Sequence, residues 1–271
     1  MQIFSNVIIF LFGSAIGSFL NVLIDRLPKD EGISGRSHCD YCGKKLNWYD
    51  MFPVFSYFIL RGKTRCCGKK LSFQYPAIEF ITGCIFVVVF KDSPYVDSLT
   101  RTVLISGILC SLLVIFVSDL KYQLISDYIL LALFVFSVLF RLGSGNPTPT
   151  FLYGTVLNRS LPIQLIQPIA TGLIVCLPIF LIYFISKERA MGLGDVYLAA
   201  IMGFLLGWQK GFLALYIAFV TGAIVGLIVI VLKKKKLRSK IAFGPFLVIG
   251  TVTMLFWGEK ILEMIKTLYG F

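Results

Sequence analysis

Charge is scarce in this chain, and acid is the scarcer sign. Only 15% of its 271 residues are charged, 14 acidic against 26 basic, and there is one histidine, His38. Other absences narrow the reading further. The ten-residue alternation of an outer-membrane barrel is missing, which excludes membrane-spanning strands. No Lys or Arg precedes the first apolar run, and the positive charge follows it at Arg26 and Lys29, so that run reads as a retained span rather than a cleaved signal. No Rossmann-like glycine fingerprint follows a strand. The basic residues are divided among loops rather than gathered on one soluble face with stacking aromatics, which excludes nucleic acid as a partner.

What remains is overwhelmingly apolar. Hydrophobic residues make up 57% of the chain, 25 of them Phe, and the mean hydropathy is +0.85, well above an ordinary soluble domain at roughly 45–50% apolar. The composition predicts an all-α, polytopic membrane protein. Eight spans are expected, at about 4–25, 76–91, 101–118, 127–142, 162–185, 196–209, 211–232 and 243–262. With the N-terminus outside, 19 of the 26 basic residues fall in inner loops, six of them in KKKKLRSK (Lys233 to Lys240), as the positive-inside rule requires. That lysine run also suits anionic membrane lipid.

Residues 1–26 form the first span, 27–75 a cytoplasmic insert, and 76–271 the remaining membrane core. The insert carries an internal repeat: Cys42-Gly43-Lys44-Lys45-Leu46 and Cys67-Gly68-Lys69-Lys70-Leu71. Cys39-x-x-Cys42 on a glycine-ended turn is a metal knuckle, and a second knuckle completes a tetrahedral zinc site. The second is irregular. Its cysteines, Cys66 and Cys67, are adjacent, Thr64 stands where the first cysteine belongs, and neighbouring residues seldom point the same way. Zinc held by Cys39, Cys42, Cys67 and either Cys66 or His38 is the reading carried forward, against a metal-free insert lying on the membrane surface. Cys84, Cys110 and Cys176 sit in apolar runs and read as packing residues.

Four acids lie at span ends: Glu79, Asp119, Asp127 and Asp195, all near the cytoplasmic ends of their helices in this topology. Acids placed there are functional candidates, because burial near the bilayer is costly. Asp127 and Asp195 also suit helix N-caps, and Asp119 a helix end. If Asp119 and Asp195 face one another across a wet cleft, they share one proton, so that one activates water while the other protonates the carbonyl or leaving amine. Gly192 and Gly194, just before Asp195, let a substrate backbone approach and let the chain turn tightly.

From these residues the chain resembles the bacterial prepilin peptidases, the GxGD-type intramembrane aspartyl proteases. The likeness runs through GSFLNVLIDRLP (Gly17 to Pro28), the knuckles, YPAIEF, SDLKYQLISD, MGLGDVYLAA and FGPF (Phe243 to Phe246). It implies that Asp119 and Asp195 are the catalytic pair and Asp127 an accessory acid, with Ser126 in place of a usual proline. It implies prepilin or pseudopilin substrates, cut after a basic leader on the cytoplasmic side of the bacterial cytoplasmic membrane. It also implies methylation of the new amino terminus by S-adenosylmethionine, with Glu79 and the cysteine insert in the region concerned. Asn21 matches a family motif position and reads as a packing residue beside the small-residue face of Gly13 and Gly17. An ion-coupled transporter and a noncatalytic export scaffold are the rival readings; the first expects acids near the midplane and repeated halves, neither of which the sequence shows.

Overall fold

The computed structural model describes the chain except residues 1, 30, 33–34, 36–38, 40, 46, 48–51, 93–98, 145–160, 189–190, 233–241 and 270–271. His38 and the lysine run therefore lie outside the described residues. Among the described residues the fold is helical, with one isolated antiparallel bridge, Lys63 to Lys70. Two compact units are present, Met1–Cys110 and Ser111–Phe271.

The first unit is built on α1 (Gln2–Arg26), which runs into a 3-10 turn (Leu27–Lys29), and α3 (Gln74–Asp92), with the short α2 (Phe55–Ile59) between them in the insert. The two long helices pack closely because glycines face the partner. A Cβ on Gly13 would stand 2.8 Å from Phe86 Cβ, and one on Gly17 2.8 Å from Glu79 Cα. Gly83 of α3 answers with Phe10 at 2.6 Å. Contacts advance along α1 as they retreat along α3, so the pair is antiparallel and the insert leaves from one end of it. That end is polar: Asn21 Nδ2 donates to the Tyr75 carbonyl at 3.1 Å, and the Tyr75 hydroxyl donates to Asp25 Oδ2 at 2.8 Å. Small residues for approach and one amide for orientation are a membrane-helix solution, where apolar burial alone does not join helices.

The next helix, α4 (Leu99–Tyr122), crosses from the first unit into the second, which continues with α5 (Asp127–Ser144), α6 (Leu161–Ser186), α7 (Leu193–Leu206), α8 (Trp208–Val231) and α9 (Gly244–Tyr269). The enclosed element is α7, where ten of 14 residues are buried; a helix apolar all round belongs inside a bundle. Glycines again set the spacing: a Cβ on Gly203 would meet Val175 of α6 at 2.6 Å, and one on Gly172 the Ala200 carbonyl at 2.7 Å. Thr171 donates to the Gly203 carbonyl at 3.2 Å, and Arg141 Nη2 to the Phe204 carbonyl at 2.8 Å, tying α6 and α5 to α7. Between α7 and α8 the chain turns on Gly207 alone, at φ 80°.

Eight helices correspond to the eight expected spans, but six are long and apolar enough to cross a membrane by length and composition: α1, α3, α4, α6, α8 and α9. The count of eight spans is therefore not established. At 14 residues, α7 reaches only about 21 Å, short of a hydrocarbon core about 30 Å thick. Gly207 ends it two residues before the expected boundary, and α9 runs to Tyr269, past the expected 262, through the polar turns of Glu263 and Lys266.

Candidate active site

Asp119 lies one turn before the end of α4 and is 5% exposed. Its Oδ2 accepts the backbone N–H of Gly244 at 2.9 Å. Gly244 begins α9, so the carboxylate satisfies one of the donors that every helix start leaves without an intrahelical partner. Only glycine fits: a Cβ there would stand 2.6 Å from the same oxygen and 3.2 Å from Ile125 Cδ1.

Asp195 is the third residue of α7 and is 7% exposed. Its Oδ2 reaches back to the N–H of Gly192, the N-cap, at 3.1 Å. The carboxylate thus closes the first turn from within the helix rather than standing at the cap, as the sequence had allowed. Its Oδ1 is buried with no hydrogen-bond partner among the described residues. A buried acceptor left open costs about 1–3 kcal/mol or more when charged, so the oxygen is arranged for something that arrives.

Ile125 lies against the glycine beside each acid. A Cβ on Gly194 would meet Ile125 Cβ at 3.0 Å, while one on Gly244 would meet its Cδ1. The short α4–α5 loop, with Gln123 in a left-handed conformation at φ 54°, carries this side chain between the starts of α7 and α9. The glycines of the GLGD stretch thus differ in role. Gly194 is closed off by Ile125, whereas a Cβ on Gly192 would find nothing nearer than Asp195 Oδ2 at 3.8 Å. Gly192 has φ −83° and ψ 159°, extended backbone open to any residue, so the tight-turn reason for glycine does not apply there.

Asp127 and Glu79 are held by other contacts. Asp127 is exposed in the first turn of α5, where its charge suits the helix start; the carbonyl of Ser126, not Asp127, receives the first helical bonds, from Ile129 and Leu130. Glu79 belongs to the first unit, 9% exposed, and its Oε2 accepts the N–H of Val54 at 2.7 Å. Val54 is a β-branched residue at φ 63°, a strained backbone held where the insert meets α3. Asn21 is 3% exposed, with its Oδ1 lacking a partner among the described residues.

In the insert, Cys39, Cys42, Cys66 and Cys67 bring their sulfurs within 4.8 Å of one another. Cys39 Sγ lies 3.7 Å from Cys67 Sγ, and Cys42 Sγ 3.3 Å from Cys66 Sγ. Four thiolates on a tetrahedral zinc, each at about 2.3 Å, would stand roughly 3.8 Å apart, so the donor set fits that metal. The expectation that adjacent cysteines diverge fails here. They lie in a turn ended by Gly68 at φ 69°, not on an extended strand whose side chains alternate. A hydrogen bond with the Thr64 hydroxyl is the largest influence on the Cys67 thiol, which is lowered to about 7.

Sequence reasoning passed over Gly244 and Ile125. FGPF had been noticed as a motif, but nothing local says that its glycine meets a carboxylate on another helix.

Comparison with known proteins finds two families. A family described as "Bacterial Peptidase A24 N-terminal domain" matches residues 11–92, and one described as "Type IV leader peptidase family" matches residues 106–227. Among curated relatives named prepilin leader peptidase/N-methyltransferase, that of Aeromonas hydrophila is 30% identical over 94% of this chain and 91% of its own. That of Pectobacterium carotovorum is 31% identical over 89% of each, and that of Bacillus subtilis 27% identical over 94% and 96%. No solved structure matches the chain.

Proposed function

The chain belongs to the type IV leader peptidase family, and from that premise we propose that it is a membrane aspartyl endopeptidase with Asp119 and Asp195 as its catalytic pair. Its substrates are type IV prepilin-like proteins, from which it removes the leader before methylating the new amino terminus. What supports the reading is a pair of buried carboxylates from distant stretches of sequence, one with an oxygen left open among the described residues, whose neighbouring glycines Gly244 and Gly194 both lie against Ile125.

The chemistry follows from the pair. One carboxylate takes a proton from water as the oxygen attacks the scissile carbonyl, and the other, protonated, gives its proton to the carbonyl oxygen. Collapse of the tetrahedral intermediate breaks the C–N bond, and a proton passes from the dyad to the leaving amine. The titrations belong to the pair, so neither acid is assigned one role. A helix hides its carbonyls, so the substrate must be extended when cut, and the open face of Gly192 suits a passing backbone. The membrane is the bacterial cytoplasmic membrane, with the N-terminus outside and the dyad facing the cytoplasm, as the distribution of Lys and Arg favours.

For the second activity, S-adenosylmethionine supplies an electrophilic methyl group when bound. The donor would be a cation, and the new amino terminus would have to give up a proton before its nitrogen could take the methyl; the buried acceptors Glu79 and Asn21 Oδ1 fit a positive charge. Zinc in the cysteine cluster would hold the two knuckles of the insert together.

The test combines membranes containing the protein with a pseudopilin precursor. Asp119→Asn and Asp195→Asn should each lower leader removal by about 10²–10⁴-fold while the protein still accumulates. Normal cleavage by either variant would refute the pair.

A further inference from the structure

The two cysteine turns are copies of one backbone. In the first, the N–H of Cys39 donates to the Lys44 carbonyl and Gly43 donates back to the Cys39 carbonyl, both at 2.9 Å. In the second, Thr64 donates to Lys69 and Gly68 back to Thr64, both at 2.8 Å. Gly43 and Gly68 close the turns at φ 67° and 69°. Thr64 thus takes the place of Cys39, Cys67 that of Cys42, and Cys66 that of Tyr41.

We propose that the second turn is a zinc knuckle shifted in register: Cys66 supplies the fourth sulfur from the place of Tyr41, and Thr64 supports the neighbouring ligand Cys67 through its hydroxyl. The proposal rests on the zinc reading above and deepens it.

Two observations carry it. Cys66 Sγ lies 3.3 Å from Cys42 Sγ, within about half an ångström of the spacing on a four-thiolate zinc, and so stands at the fourth corner. Thr64 is 8% exposed, and its Oγ1 lies 3.1 Å from Cys67 Sγ and 3.3 Å from the Lys69 carbonyl. A metal-bound thiolate has no proton to give, so with metal bound the hydroxyl turns its single proton from the Lys69 carbonyl to Cys67, as outer-shell groups donate to metal ligands, while the Thr64 N–H keeps that carbonyl. The side chain that looks like a lost ligand thereby keeps the turn's backbone bonds and orients the ligand that remains. The vacated place is filled because a glycine-ended turn lets Cys66 and Cys67 face one metal.

The test uses the full chain in detergent, reduced, stripped with a chelator and reloaded with cobalt(II) alone. The wild type should show a tetrahedral cobalt spectrum with charge-transfer intensity of four thiolates. Cys66→Ser should lose about a quarter of that intensity, and Thr64→Cys combined with Cys66→Tyr, which copies the first turn, should restore it. Thr64→Val should keep the four-thiolate spectrum but weaken cobalt affinity about 10–100-fold against a competing chelator. An unchanged spectrum in Cys66→Ser, or unchanged affinity in Thr64→Val, would overturn the proposal. Failure of the wild type to bind cobalt would instead remove the zinc reading on which it stands.

Discussion

Replacing Gly244 by alanine should disable the enzyme through a single methyl group. The added Cβ would stand 2.6 Å from Asp119 Oδ2, whereas ordinary contact begins at 3.4 Å, so the carboxylate must retreat by about 0.8 Å. The same retreat lengthens its bond to the Gly244 N–H from 2.9 Å to about 3.4 Å, beyond the 2.7–3.2 Å of a sound N–H···O bond. Two costs follow. Losing a hydrogen bond to a charged group and overpacking a buried site each cost about 1–3 kcal/mol of stability. Misplacing a catalytic group by close to an ångström costs on the order of 10²-fold in rate. The assay is leader removal in membranes, with kcat and KM measured separately and protein quantified. Gly222→Ala, whose Cβ would meet only the Phe246 ring at 3.3 Å, controls for a methyl added elsewhere between α8 and α9. Trimming Ile125 to alanine should not rescue Gly244→Ala, because the tighter clash is with Asp119. A Gly244→Ala enzyme with normal kcat, or one rescued by Ile125→Ala, would refute the geometry.

Other outcomes follow from the same site. Gly192→Ala meets no protein atom nearer than 3.8 Å, so it should leave folding and kcat nearly intact while raising KM, measured with a pseudopilin precursor; a fall in kcat alone would contradict an open substrate edge. Cleavage should follow a bell-shaped pH dependence of kcat/KM, because below the useful range both acids are protonated and above it both are ionised; a profile flat on the alkaline side would mean that no shared proton is needed. Removing the Lys210–Glu259 ion pair, 2.6 Å long but with Glu259 largely exposed, should change thermal stability by less than about 1 kcal/mol, read as a small Tm shift in Lys210→Met.

The membrane architecture could be read from sequence because length and apolarity are local properties. The Gly13 and Gly17 face was likewise visible as a spacing, and both glycines do lie against α3. What sequence does not hold is the distance between segments. Gly244 approaches Asp119 from the far end of the chain, and no pattern within FGPF records that its N–H will meet a carboxylate. Asp195 suited an N-cap by its place before an apolar run, yet its side chain closes the turn from the third position, a choice fixed by where the helix begins at Leu193. The two glycines of GLGD looked equivalent as letters and are not: Ile125, on a loop they do not adjoin, covers one and leaves the other free. Neighbouring residues seldom point the same way, yet in a turn ended by the left-handed Gly68 the sulfurs of Cys66 and Cys67 reach one cluster.

The most direct test is the proximity of the two acids. In a cysteine-free background, Asp119→Cys and Asp195→Cys combined should be joined efficiently by a short bifunctional thiol reagent, from the cytoplasmic side, while either variant paired with a cysteine at Leu268 should not. Failure of the first pair to cross-link, with both thiols shown to react singly, would contradict a catalytic site made of these two carboxylates.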